Sequence, residues 1–341
     1  MNTEIVSVIC PIYNEEKYIE KCIESVLGQD YPQDRIEVLF VDGMSTDRTR
    51  DIVKEYSEKY PHIRLVDNPL QTVPHAMNRS IETAKGDIIV RLDGHTEYPS
   101  DYISSSVHYL ETLPKAENVG GICITLPCNE SNTAYAIATA LSHPFGMGNS
   151  LFRIGAKDIH KVDTVPFGCF HKSLFERIGK YDTELTRNED DELNGRIIKS
   201  GGYIYLVPTI KTKYYSRDKV SKVRRMFYQY GLYKPLVNKK LGSPATVRQF
   251  APLAFLLGII FGGILSAFSI YIIYIYFAVL ALYLVIGVII GCKCAAKHHR
   301  PMLILLMPYV FANVHLSYGY GYLMGILKLI GNKKFNAESN R

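Results

Sequence analysis

The sequence predicts an α/β domain of the doubly wound type followed by helices that cross a membrane, and three observations carry that prediction. Strand-like apolar runs alternate with amphipathic helical stretches through the first 210 positions. Polar side chains collect at the carboxyl ends of those runs. Residues 251–291, in contrast, carry no charged side chain at all.

The strand-like runs are VSVICPIY, IEVLFVDG, IRLVDN, DIIVRLDG, VGGICI and YIYLVP. Between the first two, NEEKYIEKCIESVLGQ predicts a helix with Asn14 as N-cap and Tyr18, Ile19, Cys22, Ile23, Val26 and Leu27 on one face. STDRTRDIVKEYSEKY predicts a second helix capped by Ser45, with Asp47 and Asp51 placed where the helix dipole favours negative charge. PHAMNRSIETAKG predicts a third, closed by Gly86. Strand and helix in strict alternation imply a parallel sheet, whose ligands gather at the carboxyl ends of its strands. Those ends carry Tyr13, Asn14 and Glu15, then Asp42, then Asp93 with His95.

Neither G-x-G-x-x-G nor G-x-x-x-x-G-K occurs, so a dinucleotide fold and a P-loop are both unsupported. The chain offers carboxylates where such folds offer glycines. Carboxylates repel a bare diphosphate, so a site built on them needs a divalent cation between protein and phosphate. On the residues alone, Asp93 and His95 in RLDGH are either a metal-bearing pair or a strand ending in a polar turn. Arg91 shares their face of the strand, as a donor-site residue or a structural ion-pair partner.

Residues 251–291 are about twice as long as the roughly 20 residues one spanning helix needs. They predict two spans, about 251–270 and 272–291, joined by a turn near Ser266 to Tyr271. A third apolar segment, 301–331, holds Asn313 and His315 at its middle and is read as re-entrant or interfacial in preference to a third span. Lys293, Lys297 and Arg300 favour a cytosolic loop, and Lys328, Lys333 and Lys334 favour a cytosolic tail at 332–341; both hold only if 301–331 does not cross. The segment 216–248 is rich in Lys, Arg and aromatic residues and suits an anionic cytosolic leaflet better than nucleic acid. No export signal precedes the first strand, so the front domain, 1–215, is expected in the cytosol. The seven scattered cysteines suggest reduced thiols, with no zinc or disulfide framework.

Four stretches taken together, VICPIYNEEKYIEKCIESVLGQDYP, VLFVDGMSTDRT, GDIIVRLDGH and NEDDELNGRIIKSGG, resemble the motifs of family 2 glycosyltransferases with a GT-A fold. The likeness is greatest to the membrane-attached succinoglycan-biosynthesis type, in which Asp-x-His stands for the usual Asp-x-Asp. It covers roughly residues 5–235. The resemblance implies inverting transfer of a sugar from a nucleotide diphospho-sugar, UDP foremost, assisted by Mg2+ or Mn2+. It implies that Pro11, Tyr13 and Glu15 flank the base and ribose, that Asp42 accepts a hydrogen bond from the base, and that Arg91 and Asp93 complete the donor site. Asp93 and His95 would hold the metal, and an imidazole ligand tilts the preference towards Mn2+. Asp190 would be the base that takes the acceptor proton, with Asp191 competing for that role and Glu189 organising the acceptor side. Gly168, Cys169, Glu192 and Arg196 would line the acceptor side, as would Gln229 and Tyr230.

One departure from the family bears on the product. Processive synthases of this family carry Gln-x-x-Arg-Trp near the membrane, whereas this chain has no tryptophan and places Gln229 and Tyr230 at the comparable position. A single sugar added per encounter is therefore expected, to a saccharide presented at the membrane on a polyprenyl diphosphate. Transfer of one hexose to a bare polyprenyl phosphate is the alternative. An inactive nucleotide-sugar sensor is a third reading, disfavoured because the second acidic cluster is intact.

Overall fold

The computed structural model describes residues 4–244 and 246–335, so the last six residues of the expected tail lie outside the described residues. The chain divides into two compact units, one comprising residues up to 124 together with 155–214, the other 125–154 together with 215 onward. Residues 125–154, which the sequence places inside the front domain, thus belong to the second unit.

The first unit opens with β1 (Val6–Ile12), α1 (Ile19–Leu27), β2 (Ile36–Asp42), α2 (Thr49–Lys59), β3 (Ile63–Asp67), α3 (Val73–Thr83) and β4 (Ile88–Arg91). After α4 (Tyr102–Thr112) and β5 (Ala116–Leu126), the chain enters the second unit as α5 (Asn132–Ser142), α6 (Pro144–Met147) and α7 (Leu151–Ile154). It returns as β6 (His160–Lys161), β7 (Cys169–His171), α8 (Lys172–Ile178), α9 (Glu189–Lys199) and β8 (Tyr203–Tyr215). Among the described residues the sheet has eight strands in the order β3-β2-β1-β4-β7-β5-β8-β6.

β1 pairs in parallel with β2 and β4, and β2 with β3. All seven residues of β1 and of β2 are buried, as a strand covered on both faces requires. The even-numbered side chains of β1, Val6, Val8, Cys10 and Ile12, join Ile19, Ile23 and Val26 of α1 and Ile103, Val107 and Leu110 of α4 in one core. Each such Val, Ile or Leu contributes about 1.5–3 kcal/mol when fully buried. Helix α3 packs on β1 and β2.

The parallel sheet expected from strand–helix alternation ends at β4. There β7 inserts antiparallel between β4 and β5, through Ile88–His171 and Val119–Cys169. A three-residue strand carries too little periodicity to announce itself. The helix starts also differ from expectation. Helix α1 begins at Ile19 and α2 at Thr49, because Asn14 and Ser45 bond each other's loops: the Asn14 N–H donates to Ser45 Oγ at 2.8 Å and the Thr46 N–H to Asn14 Oδ1 at 2.8 Å. Helix α3 ends at Thr83, with Ala84 as its C-cap. Gly86 instead permits a close approach of two backbones, since a Cβ there would overlap the Ile5 carbonyl oxygen and lie 2.8 Å from the Ser7 nitrogen.

In the second unit, α10 (Val220–Leu241), α11 (Ala251–Leu265), α12 (Ile270–His298) and α13 (Leu303–Ile330) follow in order. Two stretches, Val247–Leu265 and Ile270–His298, are long and apolar enough to cross a membrane and bury almost none of their surface. Phe261, Tyr271, Ile275 and Leu282 are exposed along them, apolar area on a scale that marks a contact surface. The second apolar stretch runs seven residues past the 291 expected from the sequence, to His298. Helix α13 is continuous over 28 residues, without the break in the helix that a re-entrant segment carries.

The close approach at Gly86 yields a stability prediction. Gly86→Ala should destabilise the first unit by roughly 1–3 kcal/mol through overpacking, read as a lowered thermal transition, while Ala84→Gly at the neighbouring helix end should do less.

Candidate active site

β4 ends at Arg91, and the residues after it turn sharply back. The Asp93 N–H donates to Tyr98 Oη at 2.7 Å, while the Asp93 carbonyl accepts from the Thr96 N–H at 3.3 Å and from Cys22 Sγ at 3.6 Å. The backbone of Asp93 is thus held from three directions, and the residue is half-buried. Burial first, then Tyr102, raises the Tyr98 phenol well above its ordinary pKa, so the group stays neutral. The turn is also fixed from β8: the Lys213 N–H donates to the Glu97 carbonyl at 3.5 Å, and the His95 ring meets Tyr214 edge-on at 6.4 Å. Glu15 lies alongside, since a Cβ on Gly94 would sit 3.4 Å from Glu15 Cγ.

The second acidic cluster begins at Asn188, whose φ of 60° lies in the left-handed region and turns the chain into α9. Glu189, Asp190, Asp191 and Glu192 fill the first turn, where the helix dipole favours anions. The Asp190 carboxylate accepts the Asp191 N–H at 2.9 Å. Burial, followed by the like charges of Asp191 and Glu189, pushes the Asp190 carboxyl up to about 7, with Arg91 pulling the other way. A carboxylate with that value exchanges a proton near neutral pH, as a general base must.

Arg91 joins the two clusters. Its Nη2 lies 3.5 Å from Glu189 Oε1, and its backbone N–H donates to the Gly168 carbonyl at 2.9 Å. Burial opposes its charge, yet the facing Tyr181, Glu189, Asp190 and Asp93 leave its pKa raised, so it remains a guanidinium. Tyr181 is itself clipped in place. The Asn78 amide donates to its carbonyl and accepts its N–H, each at 2.8 Å.

Several residues expected at the site have other occupations. Pro11 is buried within β1 opposite Val41. Asp42 is fully buried; it accepts the Ser45 N–H at 2.9 Å and pairs with Arg50 at 2.6 Å, so its carboxylate braces the loop after β2. The exposed partner of that pair is Asp67, 2.7 Å from Arg50. Cys169 is buried in the sheet, where burial pushes its thiol far up. Glu192 receives Nε of Arg196 at 2.8 Å and Nη2 at 2.8 Å, and Arg196 also donates to the carbonyls of Ile178, Gly179 and Lys180. That pair clamps the segment leading to Tyr181. Gln229 and Tyr230 lie on α10 in the second unit.

Tyr13 is half-buried, its ring 3.3 Å from where a Cβ of Gly43 would stand, so the glycine leaves room for the ring. Sequence reasoning missed Arg50, Asp67, Asn78 and Tyr98. Tyr98 had a usable signal, a tyrosine five residues past a candidate metal ligand; the other three act between different elements, Asn78 across 103 positions of the chain.

Among the described residues no three His, Cys, Asp or Glu side chains converge on a complete metal site. Asp93 and His95 together offer two donors from one turn. A carboxylate and an imidazole with the remaining positions open fit Mg2+ or Mn2+, which take the rest of their shell from a substrate's phosphates.

The family model for glycosyl transferase family 2 matches residues 7–178. The chain belongs to this family. A relative from Methanococcus voltae, named dolichyl N-acetyl-alpha-D-glucosaminyl phosphate 3-beta-D-2,3-diacetamido-2,3-dideoxy-beta-D-glucuronosyltransferase, is 31% identical over 97% of this chain and 99% of its own. The succinoglycan biosynthesis protein ExoA of Rhizobium meliloti (strain 1021) is 29% identical over 76% of this chain and 77% of its own. Among solved structures, the mannosyltransferase PcManGT from Pyrobaculum calidifontis, in complex with GDP-Man and Mn2+, superposes with a TM-score of 0.59 at 20% identity, covering 91% of this chain and 87% of its own. S. aureus TarS 1-349 with UDP-GlcNAc gives 0.52 at 16%, covering 96% and 92%. At these identities the two structures show the GT-A fold alone. With its family established, this glycosyltransferase presents the acids of RLDGH and NEDDE within one domain, linked through Arg91.

The raised Asp190 carboxyl sets the sign of a stability test. Folded Asp190 keeps a proton up to about pH 7, whereas the unfolded chain, at the ordinary value of 3.8, has already lost it. Stability is therefore lost as pH rises through that window. Asp190→Asn should raise the thermal transition at pH 8, by a few degrees for an effect on the order of 2 kcal/mol, and should change it little near pH 4.

Proposed function

We propose that this family 2 enzyme transfers one sugar, with inversion, from a nucleotide diphospho-sugar to a lipid-linked saccharide at a membrane surface. The observation that carries the chemistry is the half-buried Asp190 carboxyl, poised near neutral pH and tied through Arg91 to the turn bearing Asp93 and His95. Inverting displacement needs a base on the acceptor side, opposite the departing diphosphate. Asp190 takes the proton of the acceptor hydroxyl while that oxygen bonds to the sugar's anomeric carbon and the bond to the diphosphate breaks. Arg91, fixed in its charged form, keeps Asp190 from drifting further towards the protonated acid. Asp93 and His95 would hold Mg2+ or Mn2+, which supplies positive charge to the diphosphate. Tyr13 and Glu15 would lie against the nucleoside, with UDP the first nucleotide to try.

The acceptor class is supported by two separate facts. Two apolar helices follow the catalytic domain, and the M. voltae relative, aligned over nearly the whole chain, carries a name that describes a dolichyl-linked saccharide as its acceptor. With the helices as anchor, the active site would face the cytosol.

Detergent-solubilised protein supplied with nucleotide sugars, Mn2+ or Mg2+ and a polyprenyl-linked acceptor extract should release nucleoside diphosphate with one donor. Asp190→Asn should lower turnover by about 10²–10⁴-fold, and Asp93→Ala should abolish metal-dependent activity. Turnover of wild type should fall as pH drops below about 7, as a base with the value found for Asp190 requires. Full activity in Asp190→Asn would assign the base elsewhere, with Asp191 next. A product with no sugar on the lipid beforehand would move the assignment to transfer onto a bare polyprenyl phosphate.

A further inference from the structure

Helices α10 and α13 form a pair whose placement decides what the charges leave open, namely on which side of the membrane the chain ends. α11 and α12 make an antiparallel hairpin: Phe255 stacks on Tyr283 with ring centroids 4.6 Å apart, and a Cβ on Gly262 would lie 2.8 Å from the Tyr276 ring. The turn of that hairpin, residues 266–269, marks one end of the two spans. Beyond the other end, Arg300 bonds the N-terminal end of α5. Its guanidinium meets the Glu130 carboxylate at 2.5 Å and the Glu130 carbonyl at 2.6 Å, and covers the Tyr135 ring at 4.2 Å.

α13 starts beside Arg300 and at first descends α12. A Cβ on Gly291 would lie 2.8 Å from Ile304 Cα, one on Gly287 would lie 2.8 Å from Pro308 Cβ, and Tyr283 Oη lies 2.8 Å from His315 Nδ1. A helix that kept this course over its whole length, about 42 Å for 28 residues at 1.5 Å per residue, would end near the hairpin turn. It does not continue. At Gly319 it presses on the Pro252 carbonyl, in the first turn of α11 and so at the opposite end from the hairpin turn.

From there α13 runs beside α10. A Cβ on Gly325 would overlap the Leu232 carbonyl and one on Gly321 the Tyr228 carbonyl, while Asn238 Nδ2 donates to Tyr322 Oη at 2.8 Å. Small residues of this kind let two backbones approach within an apolar medium. Past its end, the Phe335 carbonyl accepts the Tyr233 hydroxyl at 3.2 Å. α10 leads into α11 from the end of the spans where Pro252 lies, so residue 335 is at that end too.

We infer that α10 and α13 together lie along one membrane surface as a two-helix platform, and that the described residues cross the bilayer only twice. The inference rests on reading α11 and α12 as spans. It places Lys297 and Arg300 on the same side as Lys328, Lys333 and Lys334, the side on which anionic headgroups retain basic residues. The exposed Arg224, Lys239 and Lys240 of α10 add to that charge.

The test is side-specific labelling of the whole protein in right-side-out and inverted membrane vesicles with an impermeant thiol reagent. The background carries Cys128→Ser and Cys292→Ser, which remove the exposed thiols, and single sites are introduced by Phe268→Cys, Met302→Cys and Lys334→Cys. Labelling at 302 and 334 should occur from the same face and be lost from the other, with 268 showing the reverse. If 334 labels with 268, or from neither face, α13 crosses or is embedded and the platform is wrong. If 268 labels with 302, the spans themselves are wrong and the inference falls with them.

Discussion

A buried guanidinium surrounded by acids is the constraint around which the catalytic domain is organised. Arg91 ends β4 just before the Asp93 turn and reaches the first turn of α9, so two acidic clusters nearly a hundred residues apart share one cation. Without it the carboxylates of Glu189, Asp190 and Asp93 would repel one another in a poorly solvated space. With it, the cluster is tolerated, but not fully neutralised, and burial together with the residual repulsion leaves Asp190 close to neutral pH. Structure and reactivity here have the same electrostatic origin.

The surrounding packing serves to keep that cation and its partners aligned. Asn78 of α3 fixes the backbone at Tyr181, while Arg196 of α9 ties Glu192 to the loop before it. On the other side, Tyr98, Cys22 of α1 and β8 hold the Asp93 turn. These ties come from three helices and a strand, so the site is carried by the rigid part of the fold. Asp42 belongs to the same class of residue: its pairing with Arg50 makes it a support for the loop after β2.

The second unit is held together differently. Its close contacts are made by glycines against backbone and by aromatic rings against one another, as between α10 and α13 or at Phe255 and Tyr283. Between apolar surfaces in lipid there is no hydrophobic gain from association, so closeness of packing decides which helices pair. This explains how α13, with Asn313, His315 and four tyrosines, keeps a helical path for 28 residues.

The sequence by itself determined the elements whose signal is local: the six longer strands, the three first helices to within a few residues, the two apolar spans, and the acids at strand and helix ends. Period and composition are properties of a short stretch, so they can be read without the fold. The tertiary structure alone decided that β7 slips antiparallel beside β4, that 125–154 joins the second unit, and that Asn14 and Ser45 bond each other in preference to capping helices. It also decided the roles of chemically similar residues. Asp42 and Asp190 are both acids at the ends of elements, yet one is neutralised by Arg50 close by in the chain and the other is held against like charges. That difference depends on which side chains share the space in the fold, and the order of residues along the chain does not specify it.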